Sequence, residues 1–158
     1  MQIENTYIPY GAYWSTPFVK WQGSFAELHP LRFAAEVGRR VFEERNIDPG
    51  VLDAVHLGMT VPAMHSFYGA AWAAAMLGAE SVGGPTINQA CATSARVVGS
   101  AAFEIENGGA ETILCLTADR CSNGPQMLYP NPRNPGAKPD SEHWVFDNFG
   151  HDPNTGGS

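Results

Sequence analysis

Apolar positions along this 158-residue chain change their period several times, and the changes outline alternating strands and helices. Leu31, Ala34, Ala35, Val37, Val41 and Phe42 recur at helical spacing, which predicts a helix from Pro30 to about Arg45 or Asn46. Pro30 suits a first helical position, where a missing N–H costs nothing. Asp48-Pro49 reads as a cap and first-turn proline opening a short helical turn. Ala54 to Val61 reads as a strand stopped by Pro62. Phe67 to Leu77 is alanine-rich and reads as a buried helix with Gly78 as its C-cap. Gly83-Gly84-Pro85 is a turn, and Thr86 to Gln89 a strand. From Cys91 to Glu106, residues Ala95, Val98, Ala102 and Ile105 mark one helical face, and Asn107-Gly108-Gly109 ends that helix. Glu111 to Thr117 is apolar enough for a fully buried strand. Tyr7 to Trp14, aromatic but interrupted by Pro9 and Gly11, reads as an opening strand.

Strands alternating with helices predict an α/β fold with a mostly parallel sheet covered by helices. The order is βαβαβαβ. Beyond residue 122 the pattern changes: six of the twelve prolines fall between Pro125 and Pro153, with little periodicity. The chain therefore divides into an α/β half-domain over residues 1–122 and an irregular Pro/Gly-rich segment over 123–158. A loop of that length serves a function or packs on another surface.

Composition narrows the classes. Hydrophobic residues make up 44% and charged residues 16%, the profile of a globular chain with a core. A net charge of -7 with scattered basic residues disfavours nucleic acid and anionic membranes as partners. No signal-like or membrane-spanning run is evident, so a soluble, cytoplasmic protein is expected. Three cysteines, an odd number without CxxC spacing, fit reduced thiols better than disulfides or a zinc site, and no metal is expected.

The candidate chemistry lies in Thr86-Ile87-Asn88-Gln89-Ala90-Cys91-Ala92-Thr93-Ser94. A strand ends at a cysteine, and small residues open a long helix. The free N–H groups and positive dipole end of a helix's first turn favour a thiolate over a thiol. Small side chains at Ala90, Ala92, Thr93 and Ser94 allow close approach to the sulfur. Asn88 is a candidate to support the turn from behind through side-chain hydrogen bonds.

In order and spacing the chain resembles the N-terminal half of a thiolase, from Thr16 to about Asn131. The matching pieces are Thr16-Pro17-Phe18-Val19-Lys20, Gly23-Ser24-Phe25-Ala26-Glu27-Leu28, Val55-His56-Leu57-Gly58-Met59, Ala71 to Gly78, and Ile105-Glu106-Asn107-Gly108-Gly109-Ala110-Glu111. The most specific piece is Asn88-Gln89-Ala90-Cys91-Ala92-Thr93-Ser94, where thiolases carry Asn-x-x-Cys-x-Ser-Gly with their nucleophile. The resemblance implies a layered thiolase fold and an acyltransferase acting through an acyl-cysteine on Cys91. The reaction would be Claisen condensation or thiolytic cleavage of a 3-ketoacyl-CoA. The Cys91 backbone N–H would then contribute to an oxyanion hole. Acyl-CoA and coenzyme A would be substrates, with no resident cofactor, and a homodimer or higher oligomer is expected.

Two departures mark a divergent branch. Gly-Ser-Gly usually follows the cysteine, and here it is Ala92-Thr93-Ser94. The strand that usually ends in Gly-Gly-x-Glu-Ser here ends in Thr117-Ala118-Asp119-Arg120-Cys121-Ser122. That branch includes the benzoylsuccinyl-CoA type, which works with a small zinc-containing partner subunit. The thiolase Gly-His-Pro, Cys-x-Gly-Gly and Asn-x-His motifs are absent from this sequence. The chain therefore looks like about the first two-fifths of such an enzyme by typical domain sizes. The missing half, with the general base, would come from the same or another polypeptide. The alternatives are a condensing synthase of the ketoacyl or hydroxymethylglutaryl-CoA type, or a non-catalytic scaffold subunit.

The remaining candidates read as structural. Cys115 is a core thiol and Cys121 an incidental one. His56 is a core or interface residue, His29 an exposed one, and His65 a cap or site-rim group. His143 and His151 fall in the irregular tail. Asp119 with Arg120 reads as a local ion pair.

Overall fold

The computed structural model describes residues 2–119, 126–138 and 140–143. Helix α1 runs Pro30–Glu44 with proline in its first turn, and buries Leu31, Ala35, Gly38 and Phe42 along one stripe. Asp48 caps the following 3-10 turn, Pro49–Val51, by accepting from the Gly50 N–H at 2.9 Å. Strand β1 (Ala54–Gly58) is buried at every position. Helix α2 (Gly69–Leu77) ends at Gly78, whose φ of 100° closes the C-terminus as the sequence expects. Strand β2 is Thr86–Ile87, helix α3 is Thr93–Glu106, and strand β3 is Ile113–Thr117.

The three strands form one parallel sheet in the order β2-β1-β3. Side chains of β1 alternate between two layers. Leu57 meets the core that α1 and α2 build with Leu31, Ala73 and Leu77, while Gly58 faces α3 through Val97 and Thr93. This is the expected α/β arrangement, with the central strand covered by helices. A Cβ at Gly58 would stand 2.9 Å from Val97 and 3.0 Å from Thr93, so glycine is what lets α3 sit so close to β1.

Four expectations change. Tyr7 to Trp14 is not a strand: Pro9 accepts a turn bond from the Ala12 N–H, and Gly11 takes a φ of 79°. That segment is instead tied down by side chains, with Arg45 donating to the Gly11 and Tyr13 carbonyls. The sheet of this half therefore has three strands among the described residues, one fewer than predicted. The buried stripe of α3 is Thr93, Val97, Ala101 and Ala102, one step from the predicted face, and Val98 is exposed. Strand β3 alternates between buried and part-exposed positions and is not fully buried.

The chain separates into two compact units, residues 1–122 and 123–158. In the second, Gln126–Tyr129 (β4) and Asp140–His143 (β5) pair as an antiparallel hairpin, where the sequence shows only an irregular stretch. Prolines at 130, 132 and 135 sit in its long connection, where no ladder N–H is needed.

Candidate active site

All three parallel strands end on the same side, and the loops that leave them meet there. Ligands of open α/β sheets bind at the carboxyl ends of strands. Strand β2 is only two residues long, and the chain leaving it turns sharply. Gln89 sits at φ -146°, Ala90 at φ 45°, and Ala90–Ala92 form a 3-10 turn that leads straight into α3. Cys91 is the middle residue of that turn, exposed and unpaired as a free thiol. The helix proper begins at Thr93, two residues later than the sequence predicts.

A left-handed alanine costs about 1 kcal/mol and persists only where its surroundings hold it. Two side chains do so here. Asn88 Oδ1 accepts from the Ala90 N–H at 3.1 Å, and Asn88 Nδ2 donates to the Thr60 carbonyl at 2.8 Å. Asn88 thus joins the Cys91 turn to the loop after β1. Thr93 does the rest. Its hydroxyl accepts from the Gln89 N–H at 2.8 Å and donates to the Ala90 carbonyl at 2.7 Å, closing the turn around Cys91. Thr93 is only 4% exposed. It is a latch beneath the turn, not one of the small residues opening the approach to sulfur.

The other candidates sort as follows. Cys115, on β3, is a free, partly buried thiol, and burial pushes its pKa up. His56 is fully buried, as a core residue, with Nε2 2.9 Å from Glu104 Oε2 on α3. His29 is half-buried instead of exposed, its Nε2 2.7 Å from the Met64 carbonyl. His65 is exposed at φ 60° in the loop before α2. The hydrogen-bond partners of His29 and His56 are thus Met64 and Glu104, not Cys91. The Asp119 carboxylate accepts from the Thr60 and Val61 N–H groups, and its expected pairing with Arg120 lies outside the described residues. Arg120, Cys121 and His151 lie outside the described residues, and so does the side chain of His143. Among the described residues no group of three or more His, Cys, Asp or Glu side chains is placed to hold a metal ion. No helix among them is long and apolar enough to cross a membrane.

Sequence reasoning missed Thr93 as the latch and Asp119 as a loop anchor. A signal existed for the first, because a threonine at a helix start commonly bonds back to the backbone of the preceding turn.

The geometry is that of an α/β domain presenting a cysteine on a held turn between a strand and a helix. The chain belongs to the thiolase family: residues 12–144 match the family described as "Thiolase, N-terminal domain". Among solved structures, the acetyl-CoA acetyltransferase of Bacillus anthracis is 25% identical with a TM-score of 0.61. That match covers 68% of this chain and 28% of the other. The acetyl-CoA acetyltransferase of Syntrophomonas wolfei shares the fold at 22% identity and a TM-score of 0.64, over 72% of this chain and 29% of its own. A priming β-ketosynthase from the R1128 polyketide biosynthetic pathway matches at 26% identity and a TM-score of 0.51, over 57% of this chain and 27% of its own. The matched region thus spans less than a third of each of these proteins. A search of curated proteins finds no match.

Proposed function

We propose that this chain supplies the nucleophile half of a thiolase-type acyl-CoA acyltransferase, with Cys91 as the nucleophile. The observation that carries the reading is the held turn itself: a strained backbone, fixed by Asn88 and Thr93, that leaves the Cys91 thiol exposed at the start of α3. Backbone strain held beside an exposed reactive side chain is a feature that clusters at functional sites.

The chemistry runs in two transfers. Cys91 Sγ, as thiolate, attacks the thioester carbonyl carbon of an acyl-CoA. The tetrahedral oxyanion collapses, the new C–S bond remains, and the coenzyme A thiolate leaves and takes up a proton. In condensation the acyl group then passes to the α-carbon of a second acyl-CoA, which gives up a proton. In cleavage the sulfur attacks instead the 3-keto carbon of a 3-ketoacyl-CoA, the C2–C3 bond breaks, the α-carbon of the departing acyl-CoA takes up a proton, and the acyl group passes from sulfur to coenzyme A. At the start of a helix the backbone N–H of Cys91 has no partner within the helix, and it is the group proposed to stabilise the oxyanion. Thr93 and Asn88 hold that N–H and the sulfur in one geometry. The general base and most of the coenzyme A surface belong to the part of the fold that this chain does not cover in its relatives. A dimer or larger assembly and a cytoplasmic location belong to the same proposal. Nothing among the described residues favours a zinc-bearing partner.

The ketosynthase match supports a second reading, a condensing synthase sharing the same cysteine turn. The two differ in their acyl acceptor. The test is exchange of labelled coenzyme A into acetyl-CoA and acetoacetyl-CoA by the natively purified protein. Exchange that Cys91→Ser abolishes supports a thiolase. Condensation onto a malonyl thioester without thiolytic exchange favours the synthase. Activity of the assembly unchanged by Cys91→Ser would reduce this chain to a scaffold.

A further inference from the structure

Beyond Gly58 the ladder of the parallel sheet gives out. Its last bonds run from the Met59 N–H to the Ile87 carbonyl and from the Ala118 N–H to the Gly58 carbonyl. Past that point side chains take over. Asp119, two residues after β3, uses one oxygen, Oδ1, to accept from the Thr60 N–H at 2.7 Å and the Val61 N–H at 3.0 Å. The Thr60 carbonyl then accepts from Asn88 Nδ2 at 2.8 Å, and Asn88 Oδ1 accepts from the Ala90 N–H at 3.1 Å. The ends of β3, β1 and β2 are thereby linked in that order, and the link finishes on the residue beside Cys91.

We infer that Asp119 is a positioning residue for Cys91, acting through Thr60 and Asn88 on the left-handed Ala90. It rests on the reading of Cys91 as the nucleophile. Ala90 at φ 45° needs constraint from outside its own turn. Asn88 supplies that constraint only while the Thr60 carbonyl stays in place. Asp119 fixes Thr60 by accepting from its N–H and from that of Val61 with one oxygen. Thr93 secures the turn from the α3 side; Asp119 secures it from the sheet.

The test follows two reactions of Cys91 in the natively purified protein by peptide mass spectrometry: alkylation by iodoacetamide and acetylation by acetyl-CoA. Cys115 in the same sample serves as the reference thiol. Asp119→Ala slows both Cys91 reactions about tenfold, the loss of roughly one hydrogen bond's worth of positioning, and leaves Cys115 alkylation unchanged. Asp119→Asn keeps Oδ1 as an acceptor and retains most of the rate. Asn88→Ala slows Cys91 to a similar extent, and the double variant is no slower than Asn88→Ala alone, because both act along one path. Rates at the wild-type level in Asp119→Ala, with only the melting temperature lowered, would overturn the inference. So would additive losses in the double variant, or an Asp119→Asn variant as slow as Asp119→Ala. If iodoacetamide shows this pattern while acetyl-CoA leaves no adduct even on the wild type, the positioning role stands and the acyl-transfer reading falls.

Discussion

Two free thiols among the described residues sit in opposite settings. Cys115 lies within the ladder of β3, in register with His56 of β1, in regular extended structure where burial pushes its pKa up. Cys91 lies just past a two-residue strand, on an exposed 3-10 turn with a left-handed alanine before it. Backbone ladder bonds hold the first. Side chains from two loops and from the first residue of α3 hold the second. Regular structure protects a sulfur by burying it, whereas presenting one requires leaving the ladder and replacing its bonds with Asn88, Thr93 and Asp119.

Exchanging the thiols gives the largest contrast. Cys91→Ser should lower acyl transfer by more than roughly a thousandfold in the exchange assay, the scale of losing a covalent nucleophile. Cys115→Ser should leave exchange near the wild-type level. Equal losses from both would break the comparison.

The latch comes next. Thr93→Val keeps the shape beneath the turn but strands the Gln89 N–H and the Ala90 carbonyl. It should cost about 1–3 kcal/mol in chemical denaturation and slow Cys91 alkylation about tenfold. Cys115 alkylation in the folded protein should not move. Gly58→Ala pushes on the same latch from the sheet, since its Cβ would come within 3.0 Å of Thr93 and Val97, and should destabilise by about 1–3 kcal/mol.

The smallest effects come from relieving strain and from pH. Ala90→Gly removes the left-handed penalty and should raise stability by up to about 1 kcal/mol, while loosening the turn and slowing Cys91. Glu106 anchors the N-terminal segment. The Asn5 backbone N–H, then the Thr6 hydroxyl, hold its carboxyl below the ordinary value. A depressed carboxylate pKa contributes stability that is full above the unfolded value, near about 4.3, and is lost as pH falls through the folded value. The melting-temperature gap between wild type and Glu106→Gln should therefore be constant at neutral pH and close in acid.

Much of this was legible beforehand. The 3.6-residue stripe of α1, the Gly78 cap and the capped turn at Asp48 are local signals, and each forms where local chemistry places it. The cysteine between strand and helix was equally plain. Tyr7 to Trp14 misled because its aromatic residues suit a strand while Pro9 and Gly11 bend it, and a pattern alone does not weigh the two. The buried face of α3 differs from the Ala95, Val98, Ala102 and Ile105 stripe because Val97 and the polar Thr93 are the residues that pack against Gly58. The helix starts at Thr93, whose bonds to the turn and contact with Gly58 set its rotation. Asp119 was out of reach for a different reason. Its partners, Thr60 and Val61, lie 59 and 58 residues away and are backbone groups, which carry no mark in a sequence.

The central claim is that Cys91 accepts an acyl group. Brief incubation of the natively purified protein with acetyl-CoA and bulkier acyl-CoAs, followed by peptide mass spectrometry, tests it directly. The expected result is an acyl adduct on the peptide carrying Cys91, with none on Cys115. An unmodified Cys91 with every acyl-CoA, or an adduct on Cys115 at the same rate, would contradict it.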